Sequence, residues 1–142
     1  MKRHWKWLLV VLVAVMLAAL AYAIPQFLRL SREAREVDRA FAGYGTALVG
    51  QRYADAYRFG GHEFADALSY DQFVQQQREL EQHFGRLKSV QSVGYHISGK
   101  GNPYLWSAVI AADFVFEKRT VRFDVALQKE NGQWVLYGYK EE

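Results

Sequence analysis

Residues 104–128 read YLWSAVIAADFVFEKRTVRFDVALQ. Tyr104, Trp106, Ala108, Ile110, Ala112, Phe114 and Phe116 alternate with a mixed set, and Val121, Phe123, Val125 and Leu127 repeat the alternation against Thr120, Arg122, Asp124 and Gln128. A period of two puts successive side chains on opposite faces of an extended chain, so this stretch predicts two strands that each bury one face. Asn131-Gly132 then supplies the dipeptide of a tight hairpin before a further strand from Trp134 to Tyr139. Leu87 to Ser98 reads as a weaker first strand, joined to the next by the turn-forming residues Gly99-Lys100-Gly101-Asn102-Pro103. The Glu117 to Thr120 turn leaves the register open. A pairing that opposes Asp113 to Asp124 sets like charges together, so the register expected is the one that opposes Glu117 to Arg122 and keeps the apolar side chains inward.

Upstream of Leu87 the period changes. Leu30, Ala34, Val37, Phe41, Tyr44 and Leu48 recur at three- and four-residue spacing and predict a helix over about 26–49. Gly50 interrupts it. The segment RYADAYRF (52–59) reads as a second, short helix that ends at Gly60-Gly61. A third begins at the S-x-x-Q capping box of Ser69 and Gln72 and stops at Gly85. Three helical pieces followed by four strands predict an α+β fold in which the helices pack on a curved four-stranded antiparallel sheet.

The remaining part is residues 7–24, WLLVVLVAVMLAALAYAI, which carries no charge and is long enough for a transmembrane helix. Trp5, Trp7 and Tyr22 sit near its ends, where amphipathic rings favour the headgroup level, and Pro25 reads as a break. Residues 1–25 are therefore expected to form an anchor and residues 26–142 one water-soluble domain. Cleavage after Ala23, at the small-x-small site Ala21-Tyr22-Ala23, is the alternative. The apolar run exceeds the roughly 7–15 residues of a signal-peptide core, which favours retention.

The net charge of +3 belongs to the N-terminus: Lys2, Arg3 and Lys6 precede every acid, and residues 26–142 hold 15 bases against 15 acids. A neutral domain lacks the footprint of a phosphate-backbone binder, so nucleic acid is not expected. The basic segment before an apolar run instead predicts a cytoplasmic N-terminus and a domain across the membrane. The chain has no cysteine, which removes disulfides, thiolate catalysis and lipidation at cysteine.

Chemistry is sparse. No carboxylate falls on the inward face of 104–116, so no acid–base pair is expected inside the domain. Tyr44, Tyr53 and Tyr57 sit at helical spacing, where core packing is the usual role of aromatics. His62 and Asp66 share a helix face, but the HExxH zinc motif needs a second histidine where Asp66 stands, and Gly60-Gly61 favours a turn there. No G-x-S-x-G elbow or full phosphate loop occurs, and no metal or cofactor is expected. Arg29, Arg32, Arg35 and Arg39 form a basic stripe able to touch lipid headgroups, although interleaved acids also suit a salt-bridged solvated face.

The succession LVGQRYADAYRF, SYDQF, HFG and ENGQWVLYGY, over roughly 36–140, resembles exported domains of the nuclear transport factor 2-like, or ketosteroid isomerase-like (cystatin-like), superfamily. The resemblance implies a cone of helices against a sheet, in uncharacterised bacterial membrane-anchored proteins among others. Such folds host enzymes, ligand binders and assembly modules; the anchor and the chemically bland interior point to a non-enzymatic accessory protein of a bacterial inner membrane, whose periplasmic domain contacts a protein partner or a second copy through the open sheet face, with Tyr95, Trp106 and Trp134 offering aromatic surface. The other function class is a small-ligand carrier or cryptic enzyme whose cone is lined by Tyr57, Phe73, Trp106, Phe114 and Phe123. An open cavity of about 300 Å³ with converging polar groups is the feature that separates the two.

Overall fold

The computed structural model describes residues 2–101 and 104–142, with side chains from Trp5 onward. The side chains of Lys2 and Arg3, and the expected turn residues Asn102 and Pro103, lie outside the described residues. The fold is α+β. Four helices, α1 (Lys2–Val49), α2 (Tyr53–Arg58), α3 (His62–Ala67) and α4 (Tyr70–Phe84), precede four strands, β1 (Leu87–Lys100), β2 (Leu105–Phe116), β3 (Thr120–Glu130) and β4 (Gln133–Glu141). The strands form an open antiparallel sheet in the order β1-β2-β3-β4. Two compact units result, Met1–Arg35 and Glu36–Glu142.

The first unit is helical and apolar. Its helix is long and apolar enough to cross a membrane, and Leu8 to Leu20 are exposed along it. Pro25 does not break it and lies inside α1. Proline lacks the N–H that would bond the carbonyl of Ala21, but the Ala-, Leu-, Arg- and Glu-rich sequence on both sides favours helix strongly enough to carry the chain past one missing bond. Leu30, expected in the buried stripe, is 44% exposed.

In the second unit the stripe holds. Val37, Phe41, Tyr44, Ala47 and Leu48 of α1 are buried with Ala56, Phe64 and Phe73 against Ala108, Ile110, Ala112, Phe114, Val121, Phe123, Val125 and Leu127 of the sheet. Tight seats allow this contact: a Cβ on Gly43 would fall on the Phe59 ring, and one on Gly45 would crowd Val90. The capping box forms as the sequence predicts, with the Ser69 hydroxyl accepting from the Gln72 amide and the Gln72 side chain accepting from the Ser69 amide. Gly85, at φ +81°, closes α4 in a conformation that few other residues adopt.

Two further expectations fail. A fourth helix, α3, occupies His62–Ala67, where the sequence suggested a turn. Gly60 and Gly61 do not merely end α2. They let the chain pass close to β4, where the Gly61 amide donates to the Leu136 carbonyl at 2.8 Å and the Leu136 amide to the Phe59 carbonyl at 2.7 Å. The next residues are then free to coil, with Phe64 packed inward.

The β2–β3 register also differs from the expected one. Asp113 opposes Arg122, and Val115 opposes Thr120. The Arg122 guanidinium donates Nε to Asp113 Oδ1 at 2.8 Å and Nη2 to Oδ2 at 3.1 Å. Glu117 sits in the turn and pairs with Lys88 at 3.2 Å. A slip of two or four residues leaves every apolar side chain on the same face, so the apolar pattern cannot choose between registers. The tight turn does choose: the Phe116 amide bonds the Arg119 carbonyl, and the turn is pinned by Glu117 N to Arg86 O and Lys118 N to Phe84 O. At the other hairpin, Asn131 and Gly132 both take positive φ, 48° and 79°, as a tight turn of this sequence predicts.

Candidate functional site

The five aromatic residues expected to line a cone are placed in three settings. Phe114 and Phe123 are buried and tilt against each other with centroids 4.8 Å apart. Phe73 is fully buried and touches Tyr57 at 5.6 Å, and the Tyr57 hydroxyl donates to the Leu68 carbonyl at 2.7 Å. Trp106 is half-buried near the β1–β2 turn, edge-on to Tyr104 at 5.0 Å. The space enclosed by Phe41, Tyr44, Phe59, Val125, Trp134 and Leu136 amounts to about 10 Å³, too small for any ligand. Side chains fill the centre of this cone.

Room exists instead at its margin. A groove of about 330 Å³ lies between α4 and the ends of β3 and β4, with Leu80, Phe84 and Phe123 as apolar walls and Gln76, Glu79, His83, Tyr139 and Glu141 at its polar edges. Phe123 is the one expected lining residue that reaches it. Tyr139 carries the polar chemistry here: its hydroxyl donates to Gln76 Oε1 at 2.6 Å and accepts from the buried Gln77. Burial pushes the Tyr139 phenol up to about 12, and the Gln77 hydrogen bond opposes the rise. Deeper, burial raises the Tyr44 phenol, with repulsion from Tyr139 adding to it. The phenols are therefore hydrogen-bonding groups at neutral pH, not proton carriers. His83 is committed locally, with Nδ1 2.8 Å from the Glu79 carbonyl. Sequence reading missed this groove because it joins residues some 60 positions apart that show no common motif.

A second groove is bordered by Glu36, Arg39, Arg58, Phe59 and the β3–β4 turn at Gly132 to Val135. Its charges are largely paired within the unit: Glu36 Oε2 lies 3.0 Å from Lys129 Nζ, and Arg58 lies 3.6 Å from Asp55. Of the basic stripe, Arg29, Arg32, Arg35 and Arg39 are all exposed, and Arg32 is 3.9 Å from Glu33. Only Arg39 belongs to the second unit. His62 Nδ1 is 3.1 Å from Asp66, both exposed, and no group of three potential metal ligands occurs among the described residues.

The carboxyls with resolved shifts move down rather than up. The Arg122 hydrogen bond holds Asp113 below the ordinary carboxylate range, and Lys88 and the Arg86 backbone do the same for Glu117. Both groups are anions held by surface cations, the opposite of a carboxyl poised to donate a proton.

The outer face of the sheet is the other feature. No outward position of β2 or β3 is buried. Val109 is 45% exposed at its centre, among Gly94, Ala111, Ala126 and Gly138, and the Asp113–Arg122 pair and the neighbouring Asp124 and Lys140 flank it. Of the aromatic surface expected from sequence, Tyr95 is 52% exposed, whereas Trp134 is buried at 6% because it points inward from β4 opposite Lys129. Comparison with family models and with curated proteins finds no match.

Proposed function

We propose that this chain is a membrane-anchored accessory protein that acts through protein contacts, not through catalysis, with the second unit held across the membrane from a cytoplasmic N-terminus. The uncovered outer face of the sheet carries the reading. The side chains at its centre are small and apolar, and its charges come in opposite pairs, so the face has no net charge with which to select a charged partner. A second copy of the chain is the occupant that such a face suits, since a two-fold arrangement sets each Asp113–Arg122 pair beside its equivalent. The order of helices followed by a strand meander supports placing the unit with nuclear transport factor 2-like domains, and the basic residues before the apolar run support an inner-membrane, periplasm-facing orientation.

The test is the mass of the full chain in mild detergent. A dimer that Ala126→Arg converts to a folded monomer supports the reading, and a monomeric wild type overturns it. The α4–β4 groove favours a second reading, a carrier of a small, mainly apolar ligand, because its volume and polar edge meet the usual size of such sites. A fatty-acid or aromatic probe that quenches tyrosine fluorescence in wild type but not in Phe123→Trp would support that reading.

A further inference from the structure

Gln76, Glu79, Leu80, His83 and Phe84 recur at three- and four-residue spacing, so one stripe of α4 borders the groove between this helix and the sheet. The strands supply the other side. Phe123 of β3 stands opposite Glu141 of β4, and the Tyr139 ring meets the Phe123 ring at a steep angle with centroids 5.9 Å apart. Phe84, Phe123 and Tyr139 therefore share a space of about 330 Å³ with Leu80. Its central polar groups are already committed, because the Tyr139 hydroxyl donates to Gln76 Oε1 at 2.6 Å.

The charge of the border is one-sided. Glu79 and Glu141 line the groove and are exposed, and no lysine or arginine lines it. Glu79 accepts from a neutral donor, Gln75 Nε2, at 2.9 Å. Neither carboxylate forms an ion pair among the described residues. His83 also borders the groove, with Nδ1 held to the Glu79 carbonyl at 2.8 Å. The groove at the β3–β4 turn is different, since its Glu36 is matched by Lys129. One wall of the α4–β4 groove already attracts a cation: the Arg119 guanidinium lies over the Phe84 ring, 5.5 Å from its centroid, without lining the groove itself.

We infer that this groove takes a free organic cation, a substituted ammonium ion, with its apolar or aromatic substituents against Leu80, Phe84 and Phe123 and its positive centre toward Glu79 and Glu141. Aromatic rings attract such a centre through their quadrupole, and carboxylates at the mouth add to that attraction. Substitution matters because a bare ammonium is strongly hydrated and would lose that hydration among apolar walls. A metal ion is not the occupant that these residues suit, since no group of three potential ligands occurs among the described residues. The same carboxylates repel the head of a fatty acid and the phosphate of a phosphocholine headgroup, which leaves a lone cation as the class that fits. The inference rests on the carrier reading of this groove and names its ligand class.

The test uses the full chain in an alkyl maltoside detergent, which carries no ammonium group, with isotope-labelled leucine methyls. Leu80, identified by the signal lost in Leu80→Ile, is the reporter. The probes are benzyltrimethylammonium, its uncharged isostere neopentylbenzene, the anion 3-phenylpropionate, and phosphocholine, each at a free concentration fixed by equilibrium dialysis. Expected is a saturable Leu80 shift with benzyltrimethylammonium at a Kd about tenfold below that of neopentylbenzene, and none with the anion. Exchanging both exposed acids, Glu79→Gln with Glu141→Gln, should raise the Kd of the cation about fivefold and leave that of neopentylbenzene unchanged. Phe84→Leu should raise it about threefold; if that variant misfolds, the paired Gln variant decides alone. Equal affinity for cation and isostere, or tightest binding of the anion, overturns the inference and leaves the carrier reading standing. So does a cation response that the paired Gln variant does not weaken. A response to phosphocholine tighter than to benzyltrimethylammonium overturns the assignment to a free cation. A Leu80 signal that no probe moves removes the carrier reading together with the inference.

Discussion

The two lengths of β2 follow the same alternation and meet different fates. From Ala108 to Phe116 every second residue is buried, whereas Tyr104 and Trp106, in the same phase, are exposed or half-exposed. What differs is what lies opposite. Val37 to Leu48 of α1, with Phe64 and Phe73, pack with the first length, whereas in the second only Trp106 packs, part-buried, against that core. Alternation therefore decides which face of a strand is apolar, and the length and placement of the helices decide how much of that face becomes core.

This contrast can be broken most forcefully at Phe73. Phe73→Ala should cost about 3–5 kcal/mol in chemical denaturation of the second unit, because a fully buried ring leaves a cavity that its neighbours only partly close. A loss under about 1 kcal/mol would show that the covered length is not a packed core.

Tyr139 lies at the edge of the covered length and should make stability fall in alkali. Its phenol ionises at about 12 in the fold and near 10 in the unfolded chain. The protonated form is thus favoured by folding, so its contribution is complete below about pH 10 and is lost as pH rises toward 12. Denaturation midpoints measured across that window should decline in wild type and decline less in Tyr139→Phe. Ser69→Ala, which removes the hydroxyl cap of α4, should cost about 1 kcal/mol by the same measurement, with helix content otherwise retained. On the uncovered length, Leu105→Ala should change stability by less than about 0.5 kcal/mol, since the side chain stands mostly in solvent. A large loss there would place a partner on the hairpin within the isolated protein.

Much of this architecture was legible in the residues, for reasons that also explain where legibility ended. The switch from a helical period to a period of two, the Ser69 capping box and the Asn131-Gly132 turn are local codes, and local codes can be read from one chain. The register was not legible, because Asp113 can face Arg122 or Asp124 without moving one apolar residue to the wrong side. It was settled by amides of Glu117 and Lys118 bonding to carbonyls at the α4–β1 junction. The helix of His62–Ala67 was hidden by its brevity and by a Gly-Gly pair whose role is to let Phe59–Gly61 lie against β4. Trp134 read as aromatic surface, yet it lies opposite Lys129 on the inward side. The α4–β4 groove had no sequence signature, since Gln76 and Tyr139 meet only after the sheet is complete.

The contact of Gly60 with Leu136 also has a kinetic meaning. It joins positions 136 − 60 = 76 residues apart, and β4 follows the helices and the other three strands of its sheet in the chain. Until it arrives, β3 has a bare edge and the core lacks Trp134 and Leu136, so the helices and the first three strands wait in an incomplete state. Formation of the finished unit is consequently gated by β4. A chain truncated at Asn131 should be removed by proteases in spite of possessing every helix.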